Sequence, residues 1–599
     1  MEPQQWYEQQ VAQYTAALSK LRGMTGSIAI ARLISFLAFV YAAYTMFTNP
    51  NDTGTWVVVT LLLLAVFILF VRVALKLKDR KALLERLLFV NTNELAVLQN
   101  KLNEFDTGET IPEDATSYNQ DYTGDLDIFG PSSLYHLINR TTTWHGATQL
   151  ADLLRQPLSS KNEIEAHQQA VEQFSKQKEL RQMITAQGLL QKEEAVDFYG
   201  LYSWIGQAGI LHNQKWLAVL RWVLPAINIA FLLYYLSSDN YFPLVASVAV
   251  SWMVTGRFLK NINQQHVLIS KKTAVLEQYA SILSHFSQVD AGNAGLLQQH
   301  KQQASEAHAA IKKLSSLASF FDQRLNWLVL IFLNSLFLYD IQVLWSLEKW
   351  KQENSEEFEK WIATVGKIET LNSLATFAFN NPHYQYPQVA NEGTFITATQ
   401  MAHPLIPATE RVANDCSFGL NEQLVLVTGS NMSGKTTFLR TLGVNLLLAQ
   451  CGTPVCARKF SFTPMTICTS IRVSDSLQEH TSYFMAELKR LQEIVHILQE
   501  GEQPVLVLID EILRGTNSED KTHGSELFIK KLLQYRCLTL FATHDLALSR
   551  LEEELPGRVS NYCFESIIRE GELIFDYQLQ RGVAKNKNAT FLMKKMEII

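Results

Sequence analysis

Eight consecutive residues, Gly429, Ser430, Asn431, Met432, Ser433, Gly434, Lys435 and Thr436, set two glycines, a lysine and a hydroxyl at the spacing GxxxxGK[ST]. The glycines let the backbone curl so that successive N–H groups face phosphate oxygens, and the positive end of a following helix adds its field. In such a loop Lys435 reaches the β- and γ-phosphates of ATP, while the Thr436 hydroxyl is a ligand for Mg2+. The loop needs a strand to enter it and a helix to leave it. Leu424 to Thr428 (LVLVT) is a run of the kind expected for a buried parallel strand, and the stretch from Thr437 to Ala449 reads as helical.

Two further apolar runs end in reactive side chains. Pro504 to Ile509 (PVLVLI) leads into Asp510 and Glu511, a Walker B arrangement in which Asp510 holds Mg2+ and Glu511 polarises the attacking water. Cys537 to Ala542 (CLTLFA) leads into Thr543 and His544, where an imidazole can sense the γ-phosphate. A single histidine is more often structural; its position after the other two motifs favours function. The spacing thus predicts an α/β P-loop ATPase domain over residues 391–599, with Glu511, His544 and Lys435 as its catalytic groups.

At 599 residues the chain exceeds what a single core organises. Its hydrophobic fraction of 47% is concentrated in a few runs, which points to membrane segments. Four stretches approach the roughly 20 apolar residues needed to cross a bilayer. They are Leu33 to Phe47, Thr55 to Leu75, Trp216 to Leu236 and Tyr241 to Leu259. They fall into two close pairs joined by polar connectors, TNPNDTG and SSDN, that lack Lys and Arg, whereas Lys20, Arg22, Arg32, Lys76, Lys78, Arg80 and Lys81 flank the other ends of the first pair. Lys215, Arg257 and Lys260 bracket the second. By the positive-inside rule this describes a multi-pass protein of the cytoplasmic (inner) membrane with its ATPase domain in the cytoplasm.

The expected units are a membrane hairpin and helical linker in residues 1–120, with helices at about 30–48 and 55–76, then a helical domain in 121–390 interrupted by a second hairpin at about 216–259. A cleaved signal peptide is disfavoured, because the first apolar run starts late and lacks a cleavage pattern. A buried hairpin of a soluble domain is the competing reading of 216–259. A fifth apolar run, Trp327 to Trp345, is interrupted by Asn334, Ser335 and Asp340 and is expected to be a buried core helix, since one more crossing would strand the ATPase outside. The net charge of −6 provides no global basic field, so any contact with nucleic acid is local. The six cysteines form no CxxC pair, which argues against zinc and for reduced thiols.

In order along the last 200 residues, the motifs resemble those of the MutS family of mismatch-repair ATPases. His403-Pro404 matches the family's HP. Gly429 to Thr437 is similar to GPNMGGKST, with Ser430 for a proline and Ser433 for a glycine. The stretch from Asp510 to Thr516 is similar to DE.GRGT, and Phe541 to His544 to FATH. Ser482 to Glu487 (SYFMAE) resembles STFMVE, with Tyr483 where threonine is usual; an ordinary helix start is the plainer reading. Upstream, Asp125 to Leu134, Asn139 to Gly146 and Arg155 to Leu158 resemble the opening of the MutS core, and helical stretches from Ile262 to Phe379 correspond to its levers.

The resemblance implies an all-α core and lever domain ahead of the ATPase, and a homodimer with composite ATP sites in which Ser482 acts on the partner's nucleotide. It also implies ATP-driven closure and DNA as a partner. Together with the hairpins it makes the lipid bilayer a second partner. The sequence departs from the family in having no recognisable mismatch-reading domain, no Phe-x-Glu wedge, no DNA clamp at the lever tip and no nuclease domain after Ile599; Asp197 to Gly200 (DFYG) lacks the wedge's glutamate. Two functions follow from this mixture. One is recognition of mismatched or distorted DNA; the other is an ATPase that drives its own membrane hairpins. A scaffold that binds ATP without turnover is disfavoured by Glu511.

Overall fold

The computed structural model describes residues 2–48, 53–111, 122–191, 196–212, 214–270, 272–472, 483–501, 503–513, 517–569, 572–585 and 598. Two helices of 46 residues each, Pro3–Thr48 and Thr53–Leu98, pack along one another as a hairpin. At 1.5 Å per residue each is about 70 Å long, roughly twice the thickness of a bilayer's hydrocarbon core. The spans expected at 30–48 and 55–76 are therefore only the distal parts of longer helices. Pro3 opens the first helix and no proline interrupts it afterwards, so nothing in the sequence breaks it near residue 30.

The two ends of this hairpin differ in what they meet. Distally, Leu33, Leu37, Tyr44, Phe47, Leu61, Leu62 and Leu69 are exposed. Proximally, Trp6, Tyr7, Leu87 and Val90 are buried against the helical body. Buried hydrogen bonds fix this base: the Tyr7 hydroxyl donates to Asn380 Oδ1 at 2.9 Å, Asn380 Nδ2 donates to Glu94 Oε2 at 2.7 Å, and Glu94 pairs with Arg140. Removing any member would strand a buried polar or charged partner, which makes the junction specific as well as tight.

The spine of the body is the 42-residue helix Tyr339–Asn380, against which Trp144–Arg155, Lys161–Ser175 and Gly295–Asp322 pack. Glu369 on the spine accepts hydrogen bonds from the backbone N–H and hydroxyl groups of Thr142 and Thr143. This closes the start of Trp144–Arg155 onto the spine. Gly146 allows the approach, because a Cβ there would lie 2.1 Å from Glu369 Oε2.

A second helical pair, Lys215–Ser238 and Phe242–Ile269, also exposes much of its apolar surface, including Val219, Trp222, Leu233, Val245 and Met253. With the first hairpin, it makes four helices among the described residues that are long and apolar enough to cross a membrane. The fifth apolar run is not one buried core helix. It breaks at Leu338, whose φ is 53°, into Trp327–Phe337 and the start of the spine, and the two helices meet at 78°. Trp327, Leu328, Ile331 and Phe332 are exposed, while Ile341, Leu344 and Leu347 are buried. The polar residues in the run explain the break, since the Asn334 side chain accepts from the Asp340 N–H and the chain turns there.

The C-terminal region holds a six-stranded sheet. Its order from one edge is Glu572–Arg581, Val559–Arg569, Leu424–Gly429, Cys537–Thr543, Val505–Asp510 and Thr466–Ser470, with only the first pair antiparallel. The three strands expected from sequence are adjacent at its centre and buried on both faces, which is why they read as continuous apolar runs. A smaller sheet of Gln388–Val389, Lys459–Phe462, Ile396–Met401 and Asn414–Phe418 lies beside it. All six cysteines are buried and unbridged.

Candidate nucleotide-binding site

The strand order places the chemistry. Cys537–Thr543 lies between the strand that enters the glycine loop and the strand that ends in Asp510, so His544 emerges between the loop and the acidic pair. In open parallel sheets, ligands bind outside the carboxyl ends of the strands, and this is where the side chains converge.

Gly429 ends its strand under tight constraint, because a Cβ there would lie 2.9 Å from the carbonyl oxygen of Phe564 on the neighbouring strand. Gly434, at φ 104°, caps the helix Lys435–Gln450, and its missing side chain leaves room for the Tyr577 ring, 3.0 Å from where a Cβ would sit. Lys435 folds back over the loop and donates to the carbonyl oxygens of Gly429 and Ser430 at 2.9 and 2.8 Å. Burial lowers its pKa to about 8, against the opposing pull of Asp510 and Glu511. His544 is held below the usual histidine range, first by burial and then by the Lys435 charge, and its Nε2 lies 3.3 Å from Lys435 Nζ.

Thr436 Oγ1 donates to Asp510 Oδ2 at 2.5 Å. A hydroxyl and a carboxylate brought together at the start of a helix are a hard-oxygen donor pair of the type Mg2+ takes, so the residues fit that ion. Glu511 sits at φ 59° with its N–H donating to the Ala542 carbonyl at 2.9 Å, and its carboxylate is paired with Lys521 on the helix Ser518–Leu532. The left-handed backbone at Glu511 turns the chain away from the sheet immediately after the strand.

These groups line one cavity of about 660 Å3. Asn431, Met432, Ser433, Gly434, Lys435, Thr436, Thr437, Asp510, Glu511 and His544 all contribute to its wall, and Gly429 and Ser430 connect to it through the carbonyl oxygens that accept from Lys435 Nζ. Ser482 lies outside the described residues, as does the stretch 514–516. The helix after Ser482, Tyr483–Glu500, carries buried Glu487, whose Oε1 accepts from the Leu513 N–H at 2.6 Å and so links this helix to the segment following Glu511.

Sequence reasoning missed the far wall. His403, Arg411, Asn414 and Tyr577 line it. Burial lowers the His403 pKa to about 4, leaving a neutral ring. Asn414 accepts from the Leu579 N–H at 2.7 Å and donates to the Tyr577 carbonyl at 3.0 Å, pinning the irregular turn in Glu572–Arg581 that sets Tyr577 over the loop. The HP pair was the one signal for this wall; Asn414 and Tyr577 are 163 residues apart and have no local pattern.

A parallel sheet carrying a GxxxxGK[ST] loop, an Asp–Glu strand end and a histidine between them defines a P-loop nucleotide-binding domain. Residues 425–596 match MutS domain V, and residues 116–500 match MutS domain III. The second match covers more than half of the 599 residues, and the chain belongs to the MutS family. It is 35% identical over 245 residues to the DNA mismatch repair protein MutS of Clostridium botulinum (strain Okra / Type B1), covering 39% of this chain and 25% of that protein. To the DNA mismatch repair protein MutS of Chlorobium phaeovibrioides (strain DSM 265 / 1930) it is 33% identical over 273 residues, covering 41% of this chain and 30% of that protein. The chain thus spans well under half the length of these curated relatives.

Proposed function

We propose that this protein binds and hydrolyses ATP and that the ATP cycle closes a homodimer, in the service of recognising mismatched or otherwise distorted DNA. The observation that carries the reading is the convergence of Lys435, Thr436, Asp510, Glu511 and His544 on one cavity. Lys435 leaves its loop carbonyls for the β- and γ-phosphate oxygens. Thr436 and Asp510 would hold Mg2+, which would supply positive charge to offset that of the phosphates. Glu511 orients a water for attack on the γ-phosphorus; the bond to the β-phosphate oxygen breaks, giving ADP and phosphate, while His544 faces the charge that develops.

In this reading Ser482 reaches the nucleotide of the partner subunit, and Glu487 relays that contact to the segment after Glu511. The DNA role rests on the family and on what the relatives are named for. The two apolar hairpins support placing the protein in the cytoplasmic membrane with the ATPase inside, and they favour a second reading, an ATPase that works on those helices. Purified full-length protein in detergent, assayed for ATP turnover with matched, mismatched and branched duplexes across a salt series, separates the two. Selective stimulation by distorted DNA supports the first. Turnover indifferent to all DNA but dependent on reconstitution into vesicles supports the second.

A further inference from the structure

We infer that Trp327–Phe337 is a re-entrant membrane helix, which enters the bilayer beside the second hairpin, ends near mid-depth and leaves on the side it came from. The inference rests on the membrane reading of the hairpins and extends it to a segment outside them. The occupant of its exposed face is the acyl-chain region of a lipid bilayer.

Length decides first. Eleven residues span about 16 Å as a helix, half of what a crossing requires. Trp327, Leu328, Ile331 and Phe332 are nevertheless exposed, and the helix packs on both helices of the second hairpin, which expose apolar side chains of their own. Its far end lies beside the middle of Lys215–Ser238, since Asn228 on that helix reaches it.

The backbone polar groups give the second reason. A helix end leaves carbonyl oxygens without intrahelical donors, which water satisfies at a protein surface but not in hydrocarbon. Here the buried Asn228 side chain donates to the carbonyl oxygens of Ser335 and Leu336 at 3.0 and 3.2 Å. The same device recurs nearby. Pro225 has no N–H, so the Arg221 carbonyl one turn before it lacks its helical partner, and Gln342 Nε2 supplies one at 2.5 Å. Trp252 Nε1 donates to Ser335 Oγ at 3.0 Å, so this polar interruption of the run is answered by a hairpin side chain.

The third reason is that the entry and exit are stapled together. Arg324, just before the helix, bonds both carboxylate oxygens of buried Asp340, just after it, at 3.3 and 3.2 Å. The Tyr339 hydroxyl donates to the Phe320 carbonyl at 2.5 Å, and further out Trp350 Nε1 donates to the Ala310 carbonyl at 3.0 Å. The flanking helices therefore run side by side, and the segment returns to its own side, leaving the even number of crossings and the location of the ATPase unchanged.

The test is nitroxide accessibility in the full-length protein reconstituted into phosphatidylcholine–phosphatidylglycerol vesicles. Labels are attached at Phe332→Cys and Ile331→Cys, with Leu61→Cys on the first hairpin as the lipid reference and exposed Lys313→Cys as the water reference. The native cysteines are all buried, and labelling of the unsubstituted protein gives the background. The expected result is an oxygen-to-nickel-chelate accessibility ratio at Phe332→Cys and Ile331→Cys that matches Leu61→Cys and is several-fold above Lys313→Cys. A water-like ratio at both, with Leu61→Cys still lipid-like, overturns the re-entrant helix and leaves the hairpins in place. Water-like ratios at all four positions overturn the membrane reading itself.

Discussion

Arg440, on the helix that follows the glycine loop, donates to Asp127, 313 residues earlier, at 2.9 Å. The same carboxylate accepts from Arg472 at 2.6 Å, and two residues before it Asp125 accepts from Thr469 Oγ1 and from the N–H groups of Ile471 and Arg472. Leu126 between them packs against Gly443 of the same helix. The start of the helical core is therefore keyed onto the P-loop domain one turn behind its glycine loop, so any shift of that helix acts directly on Asp125, Leu126 and Asp127.

The two aspartates differ in weight. Asp125 is buried and satisfies three donors, so Asp125→Ala should destabilise the junction by about 3 kcal/mol. Asp127 has a side chain 42% exposed, and Asp127→Asn should cost less than about 1 kcal/mol. Urea unfolding in detergent, followed by intrinsic fluorescence, measures both; equal losses would contradict this ranking.

ATP affinity should depend on pH through Lys435. Its ammonium form binds phosphate, and in the free protein burial brings its pKa to about 8. Below that pH the group is already charged and affinity should be level. Above it, binding must take up a proton, so affinity should fall by up to about tenfold per pH unit. Titration with a fluorescent ATP analogue between about pH 7 and about pH 9 reads this directly, and Lys435→Ala should abolish both the binding and its pH dependence.

Gly429→Ala should weaken nucleotide binding by at least about tenfold, equivalent to about 1.4 kcal/mol. The added methyl meets the Phe564 carbonyl, which is fixed in the sheet and cannot yield as a flexible side chain would. The same titration checks it; unchanged affinity would show that the strand end has slack.

The nucleotide site was legible because its parts are contiguous strings at strand ends: Gly429 to Thr436, Asp510 with Glu511, and His544 each follow an apolar run that fixes where they fall. What was hidden depends on contacts between distant residues. Asp125 and Asp127 were noticed as part of a resemblance, yet nothing local shows that they bind Thr469 and Arg440. Lys521 on the helix Ser518–Leu532 pairs with Glu511, and Asn414 positions Tyr577 across two sheets. The fifth apolar run shows the limit of hydropathy: Asn334 and Ser335 interrupt it in a way that suggests a core helix, whereas Asn334 forms the turn and Ser335 meets Trp252 on the second hairpin.

The most direct test of the account is phosphate release and nucleotide retention by the full-length protein and its Glu511→Gln variant, side by side in Mg2+ and ATP. The side-chain swap keeps size and shape while removing the carboxylate that orients water. The predicted result is steady phosphate release by the unsubstituted protein, and a variant that retains ATP unhydrolysed with release reduced to background. Equal release by the two proteins would show that this cavity does not split the triphosphate.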